Sequence, residues 1–167
     1  MTSDLLGVNP QTATTGDGPP PRVALRPLEA ATTTALAALY LASYPPGIAA
    51  ADMDEAVAEI EATFRGEYGV LRSDAGATAW SADHPVGAIM VVERSIWDPG
   101  LDGPFVIELF VAPEARGLGA GRALMAHAIQ ACARSGDAAL SLRVGEGTSP
   151  AAMAIYRSLG FAPPPAG

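Results

Sequence analysis

The residues best arranged to do chemistry are a run of glycines between two arginines, Arg116-Gly117-Leu118-Gly119-Ala120-Gly121-Arg122. Before it lies Phe105 to Val111, an almost unbroken series of β-branched and aromatic residues, which is how a strand buried on both faces reads. After it comes a segment rich in Ala, Leu, Met and Ile that reaches Cys132 without Gly or Pro, which favours helix. The glycines therefore occupy a strand-to-helix turn. A helix start leaves about four N–H groups without intrahelical partners and carries roughly half a positive charge. Glycines there let an anion approach the main chain, and Arg116 and Arg122 can offer charge-assisted hydrogen bonds to it. By itself this loop says phosphate.

A second chemically notable residue is Glu108, an acid inside that apolar strand. A carboxylate is costly to bury without a partner or a function. Period-two alternation gives it a common face with Phe110 and Ala112, unless a bulge intervenes. General base and hydrogen-bonded structural carboxylate both remain open from the residues alone.

Two phosphate-binding patterns are excluded. A dinucleotide fingerprint needs Gly at 122 or 124, where the chain has Arg122 and Leu124. A P-loop needs Gly-Lys-Ser/Thr, whereas Gly121 precedes Arg122 and Ala123 and all ten basic residues are arginine. What remains, Glu108-Leu-Phe-Val-Ala-Pro-Glu-Ala-Arg-Gly-Leu-Gly-Ala-Gly-Arg-Ala-Leu-Met125, resembles the acetyl-CoA diphosphate loop of the GNAT superfamily of N-acetyltransferases. A second stretch, Ser149 to Phe161, is similar to that family's Asn-x-x-Ala-x-x-Leu-Tyr-x-x-x-Gly-Phe pattern. Ala152, Tyr156, Gly160 and Phe161 match it, Ile155 stands for Leu, and Ser149 takes the Asn place.

The resemblance implies an α/β fold, GNAT-like, with a mixed, mostly antiparallel central sheet flanked by helices. It implies acetyl-CoA as co-substrate, no metal, and direct acetyl transfer to a primary amine of a small molecule or peptide. Residues Arg116 to Arg122 would hold the diphosphate. The strands would splay before the loop, so that the main chain of Phe110, Val111 and Ala112 meets the pantetheine arm and the developing oxyanion. Ser149 would lie by the pantetheine with a shorter reach than Asn. Glu108 matches a glutamate common on this strand, which supports the general base, and Tyr156 would protonate the leaving thiolate. A non-catalytic acyl-CoA-binding module on the same scaffold is the alternative, suggested by Ser149 and by the chain's end.

The remaining elements follow from pattern. Residues 1–21, rich in Thr, Gly, Asp and Pro, read as a disordered tail. A GNAT-like domain spans 22–161 and a Pro-rich tail spans 162–167. Val23 to Leu28 is a short edge strand. A helix capped among Thr32-Thr33-Thr34 carries Leu36, Leu39, Tyr40 and Ser43 on one side and stops at Pro45-Pro46. A second places Met53, Ala56, Val57, Ile60 and Phe64 on one face. Its other side, with Asp52, Asp54, Glu55, Glu59 and Glu61 and with Glu67 beyond its end, is either a solvated face or an acidic wall for a cationic amine.

Strands over Ala77 to Ala82 and Val86 to Arg94 flank a turn at Asp83-His84-Pro85. Trp97 either covers the core edge or meets substrate. Gly136 stops the third helix, Ala138 to Val144 forms a strand parallel to the organising one, and Ser149, Pro150 and Gly160 bound a short last helix. Relatives usually continue into a final strand, but three prolines follow here and cannot feed a ladder. The last strand is then missing or a stub, with its edge trimmed or covered by a second subunit, as in a homodimer.

Composition bounds the partners. With 167 residues the chain supports one sizeable core. A formal charge of −8 speaks against a nucleic-acid surface. No apolar stretch is long enough to span a bilayer, and no basic residue precedes Arg22, so a cytoplasmic location is expected. A single cysteine, with His84 and His127 far apart, leaves no zinc ligand set and reads as a small core residue in a helix.

Overall fold

The computed structural model describes residues 3–16, 20–145 and 147–164. Its framework is one six-stranded mixed sheet: β1 Asp4–Val8, β2 Ala24–Arg26, β3 Ala77–Ser81, β4 His84–Val92, β5 Phe105–Val111 and β6 Leu140–Val144, in the spatial order β1-β6-β5-β4-β3-β2. All neighbours are antiparallel except β5 and β6. Four helices cover it: α1 Thr33–Ser43, α2 Met53–Phe64, α3 Ala120–Arg134 and α4 Pro150–Leu159.

The central strands explain their own burial. From Val86 to Val92 every residue of β4 is buried, which demands cover on both faces. Gly87 and Val111 turn toward Leu124 of α3. Phe110 instead meets the Tyr40 ring of α1, edge to face at 5.5 Å. Helices α1 and α3 thus lie on opposite faces. Leu124, Met125, Ala128, Ile129 and Cys132 of α3 are fully buried, and desolvation raises the Cys132 thiol to about 11, as suits a core residue.

Helix ends follow local chemistry. Asp52 accepts the Glu55 N–H at 2.9 Å while Glu55 accepts the Ala51 N–H at 3.2 Å, a reciprocal cap on α2. Ser149 accepts the Ala152 N–H at 3.1 Å at the start of α4, and Gly160 ends that helix at φ +101°.

The turn before β4 is shorter than the sequence suggests. Ala82 and Asp83 make it, Ala82 at φ 52°, and His84 already pairs with Ser81.

The largest correction concerns the N-terminal stretch. Asp4–Val8, expected within a disordered tail, is a strand running antiparallel to β6, from Asp4 opposite Val144 to Val8 opposite Leu140. Leu6 and Val8 are buried in the core, so Thr, Gly and Pro around them masked a strand of only five residues. The missing final strand has the same explanation. Among the described residues after Phe161 only Ala162 pairs, exchanging two hydrogen bonds with Gly7 at 2.9 and 3.0 Å. The β6 edge is thus covered by the chain's own first strand, and the C-terminal strand is a one-residue stub against β1. Residues 1, 2, 17–19 and 165–167 of the expected tails lie outside the described residues.

Candidate active site

Strands β5 and β6 pair only at Phe105 and Ser141. Beyond that point they diverge, so the β5 edge from Val106 to Val111 makes no ladder with β6, as the sequence reading expects. Main-chain groups alternate along a strand. The Ala112 N–H is spent on Val86 O at 2.8 Å, which assigns the Phe110 main chain to β4 as well and leaves that of Val111 turned to the gap. Of the three residues expected to offer main-chain contacts, Val111 has the free edge.

The gap leads to the glycine turn. Pro113–Ala115 form a single 3-10 turn, and Gly119, at φ +80°, starts α3. Among the described residues, the N–H groups of Gly117, Gly119, Ala120 and Gly121 have no hydrogen-bond partner. This is a cradle of donors at a helix start, which suits a diphosphate.

The flanking arginines are engaged with protein. Arg116 Nη2 donates to Ser43 O at 3.0 Å, tying the loop to the end of α1. Arg122 donates to Ser158 Oγ at 2.8 Å and to Thr14 O at 3.4 Å. The N-terminal segment also meets the loop, since the Arg22 N–H donates to Leu118 O at 2.9 Å and a Cβ on Gly119 would come 3.3 Å from Pro21 Cα. Gly119 is thus demanded both by its positive φ and by that close approach.

Glu108 lies on the α1 face with Phe110. β5 carries one extra residue at Ile107, because Met90 faces Glu108 while Val91 faces Val106. The bulge re-aims the strand so that Ile107 and Glu108 both line a pocket of about 140 Å³, with Tyr40, Glu59, Ile60, Thr63, Tyr68 and Trp97. Burial pushes the Glu108 carboxyl up to about 7, opposed by a hydrogen bond from Tyr44 and assisted by the charge of Glu59. Tyr44 Oη donates to Glu108 Oε2 at 3.0 Å. Burial and the Glu108 charge raise Tyr44 far above the ordinary phenol range, and Tyr156 is close enough to add to that effect. Tyr156 is itself raised by burial and packs edge to face on Phe161 at 5.9 Å.

The acidic side of α2 resolves residue by residue. Asp52 and Glu55 cap the helix, and Glu61 and Glu67 pair with Arg65, at 3.7 and 2.5 Å. Asp54 is exposed. Only Glu59 of the six lines the pocket, where it accepts the Tyr68 hydroxyl at 3.0 Å from each carboxylate oxygen. Trp97 both packs on Phe105 and lines the pocket, stacked on Tyr68 at 6.1 Å. His84, exposed at the start of β4, is not among the pocket's lining residues.

Sequence reasoning missed Tyr44 and Tyr68 and placed Tyr40 only on one side of a helix, with Leu36, Leu39 and Ser43. A signal was available, for the chain has four tyrosines, and all four stand in or beside this site.

The site thus combines a donor cradle at a helix start, a splayed strand pair leading from it and a pocket carboxylate on β5, and a sequence profile of the Acetyltransferase (GNAT) family matches residues 33–161. The chain belongs to the GNAT acetyltransferase family. Solved structures share the fold of this family member. A GCN5-related N-acetyltransferase from Sphaerobacter thermophilus superposes with a TM-score of 0.65 at 16% identity, over 97% of this chain and 48% of that one. A protein of unknown function from Staphylococcus epidermidis covers similarly, 97% of this chain and 57% of its own, at 12% identity and a TM-score of 0.66. The chain thus spans about half the length of these two relatives.

AAC(6')-Iy, solved with the bisubstrate analogue CoA-S-monomethyl-acetylneamine, matches at 17% identity over 84% of this chain and 90% of its own, with a TM-score of 0.63. A search of curated proteins returned no match. Among the described residues, no helix is long and apolar enough to cross a membrane.

Proposed function

We propose that this GNAT protein is a cytoplasmic enzyme that moves an acetyl group from acetyl-CoA to a primary amine by direct transfer, with both substrates bound together. The observation that carries the reading is the Glu108 carboxyl, raised to about 7 and held by Tyr44 at the wall of a pocket next to the β5–β6 opening. A base poised near neutrality can take a proton from an ammonium group and leave the amine nucleophilic.

Acetyl-CoA supplies the activated acyl thioester. The N–H groups of Gly117, Gly119, Ala120 and Gly121 would hold its diphosphate, with Leu118 fixing the turn and Arg116 and Arg122 adding positive charge around it. Val111, flanked by Phe110 and Ala112, offers a main-chain edge to the pantetheine arm and to a carbonyl oxygen in the opening. Ser149 stands at the start of α4. Tyr156, its phenol kept protonated by burial, gives a proton to the departing thiolate. No covalent enzyme intermediate is required.

The binding-only alternative drew on Ser149 and on the absent final strand. β1 occupies the place of that strand, so the alternative keeps only the shorter reach of Ser149, which here caps α4.

The decisive experiment is thiol release from acetyl-CoA with a mixed amine panel, followed by mass spectrometry of acetylated products. Turnover supports the enzyme. Thermal stabilisation by coenzyme A without turnover would overturn it in favour of a binding module.

A further inference from the structure

Glu108 shares the acceptor pocket with a second carboxylate. Glu59 projects from α2 into the same 140 Å³ space, and the bifurcated bond from Tyr68 fixes its head. Among the described residues neither acid has an ion-pair partner; every arginine in a salt bridge serves some other carboxylate. The two like charges feel each other, since Glu59 is one of the reasons that Glu108 keeps its proton. A ligand that brought positive charge to both would relieve this.

The rest of the lining is consistent with such a ligand. Tyr68 and Trp97 stack at 6.1 Å with 25° between their planes, and Trp97 is 56% exposed, so this aromatic pair stands where the pocket meets solvent. Ring faces attract cations. Ile60 and Ile107 supply apolar wall. The volume is well below the roughly 300 to 1,000 Å³ of a site for a drug-sized ligand, so only a slender chain fits.

We propose that the acceptor is a small, slender diamine: one nitrogen reaches Glu108, its methylenes pack on Ile60 and Ile107, and the second ammonium pairs with Glu59 beside the Tyr68–Trp97 stack. This rests on the acetyl-transfer reading, and it makes Glu59 the specificity-determining residue with Tyr68 as its positioning partner.

The test compares 1,4-diaminobutane with n-butylamine, and 1,3-diaminopropane and 1,5-diaminopentane with their matched monoamines, as ratios of kcat/KM within each enzyme form. After allowance for its two equivalent amines, the best diamine should exceed its monoamine by roughly tenfold to a hundredfold in the wild type, the range of a charge-assisted hydrogen bond. Glu59→Gln should bring that ratio close to one, and Tyr68→Phe should lower it part of the way. Glu61→Gln, an exposed acid on the same helix, should leave it unchanged, which separates the pocket from the general negative field. A wild-type ratio near one, a ratio that survives Glu59→Gln, or an equal drop in Glu61→Gln would overturn the proposal.

If no amine releases thiol, the transfer reading fails, and calorimetric titration of 1,4-diaminobutane and n-butylamine onto the coenzyme A complex makes the same comparison. Tighter diamine binding that disappears in Glu59→Gln supports the pocket assignment; equal binding of the two amines, or no binding of either, overturns it.

Discussion

Glu108→Gln exchanges an ionisable oxygen for an amide and keeps the shape and an acceptor for the Tyr44 hydroxyl, so it isolates the charge. A carboxyl whose ordinary value of 4.5 rises to about 7 in the folded chain binds more protons folded than unfolded between those two pH values. Stability therefore falls as pH rises through that window. The distance from 4.5 to about 7, at about 1.36 kcal/mol for each pH unit, sets the penalty above pH 7 at about 3 kcal/mol. The Gln form never carries that charge. Urea unfolding should show the two proteins within about 0.5 kcal/mol at pH 4.5 and the variant more stable by about 3 kcal/mol at pH 8. With m-values of about 1 to 3 kcal/mol per molar, the midpoint moves up by roughly 1 to 3 M. Activity should move the other way, with kcat/KM down by roughly 10² to 10⁴ and the rise through pH 7 abolished. Equal stability of the two proteins at pH 8, with the wild-type rate rising through pH 7 in both, would refute the account of a desolvated catalytic carboxylate.

Other outcomes follow from single contacts. Tyr44→Phe removes a bond that favours ionised Glu108, so the rising limb of the pH profile should move up from about 7 by roughly one unit, readable in kcat/KM against pH. Gly119→Ala puts a Cβ 3.3 Å from Pro21 at φ +80°, and should cost about 1 to 2 kcal/mol in chemical denaturation and weaken coenzyme A binding by calorimetry. Leu6→Ala should cost about 2 to 5 kcal/mol, whereas a disordered tail would register nothing. Tyr156→Phe should lower kcat by roughly tenfold to a hundredfold in steady-state assays while leaving coenzyme A affinity intact.

Strands β4 and β5, helices α2 to α4 and the glycine turn before α3 were legible because each announces itself locally: a buried strand is continuously apolar, a cap precedes its helix, and glycines mark a turn that needs a positive φ. Glu108 was legible for the same reason, as an acid where the pattern asks for a hydrocarbon. The pocket beside Glu108 was not. Tyr40, Tyr68, Glu59 and Trp97 are far apart in sequence, and only the packing of α1 against α2 and β5 brings them to one cavity, with Tyr44 bound to the Glu108 carboxylate beside it. No period in the sequence encodes the bulge at Ile107, which depends on the register with β4. The acidic helix shows the limit from the other side, since six acids looked alike until capping and Arg65 accounted for all but Asp54 and Glu59. β1 was hidden because five residues give too short an alternation to stand out from polar neighbours.

The partnership of Asp4 with Val144 joins positions 140 apart, so the sheet cannot be finished in the order in which the ribosome makes it. Domains generally fold as units while the chain is still being synthesised. Here β1 must wait, unpaired with β6, until the segments between them have been made, and only then can the two strands dock. High sequence separation of this kind slows closure. Until it happens the open flank of β6 lies bare, an unpaired edge that invites pairing with another chain.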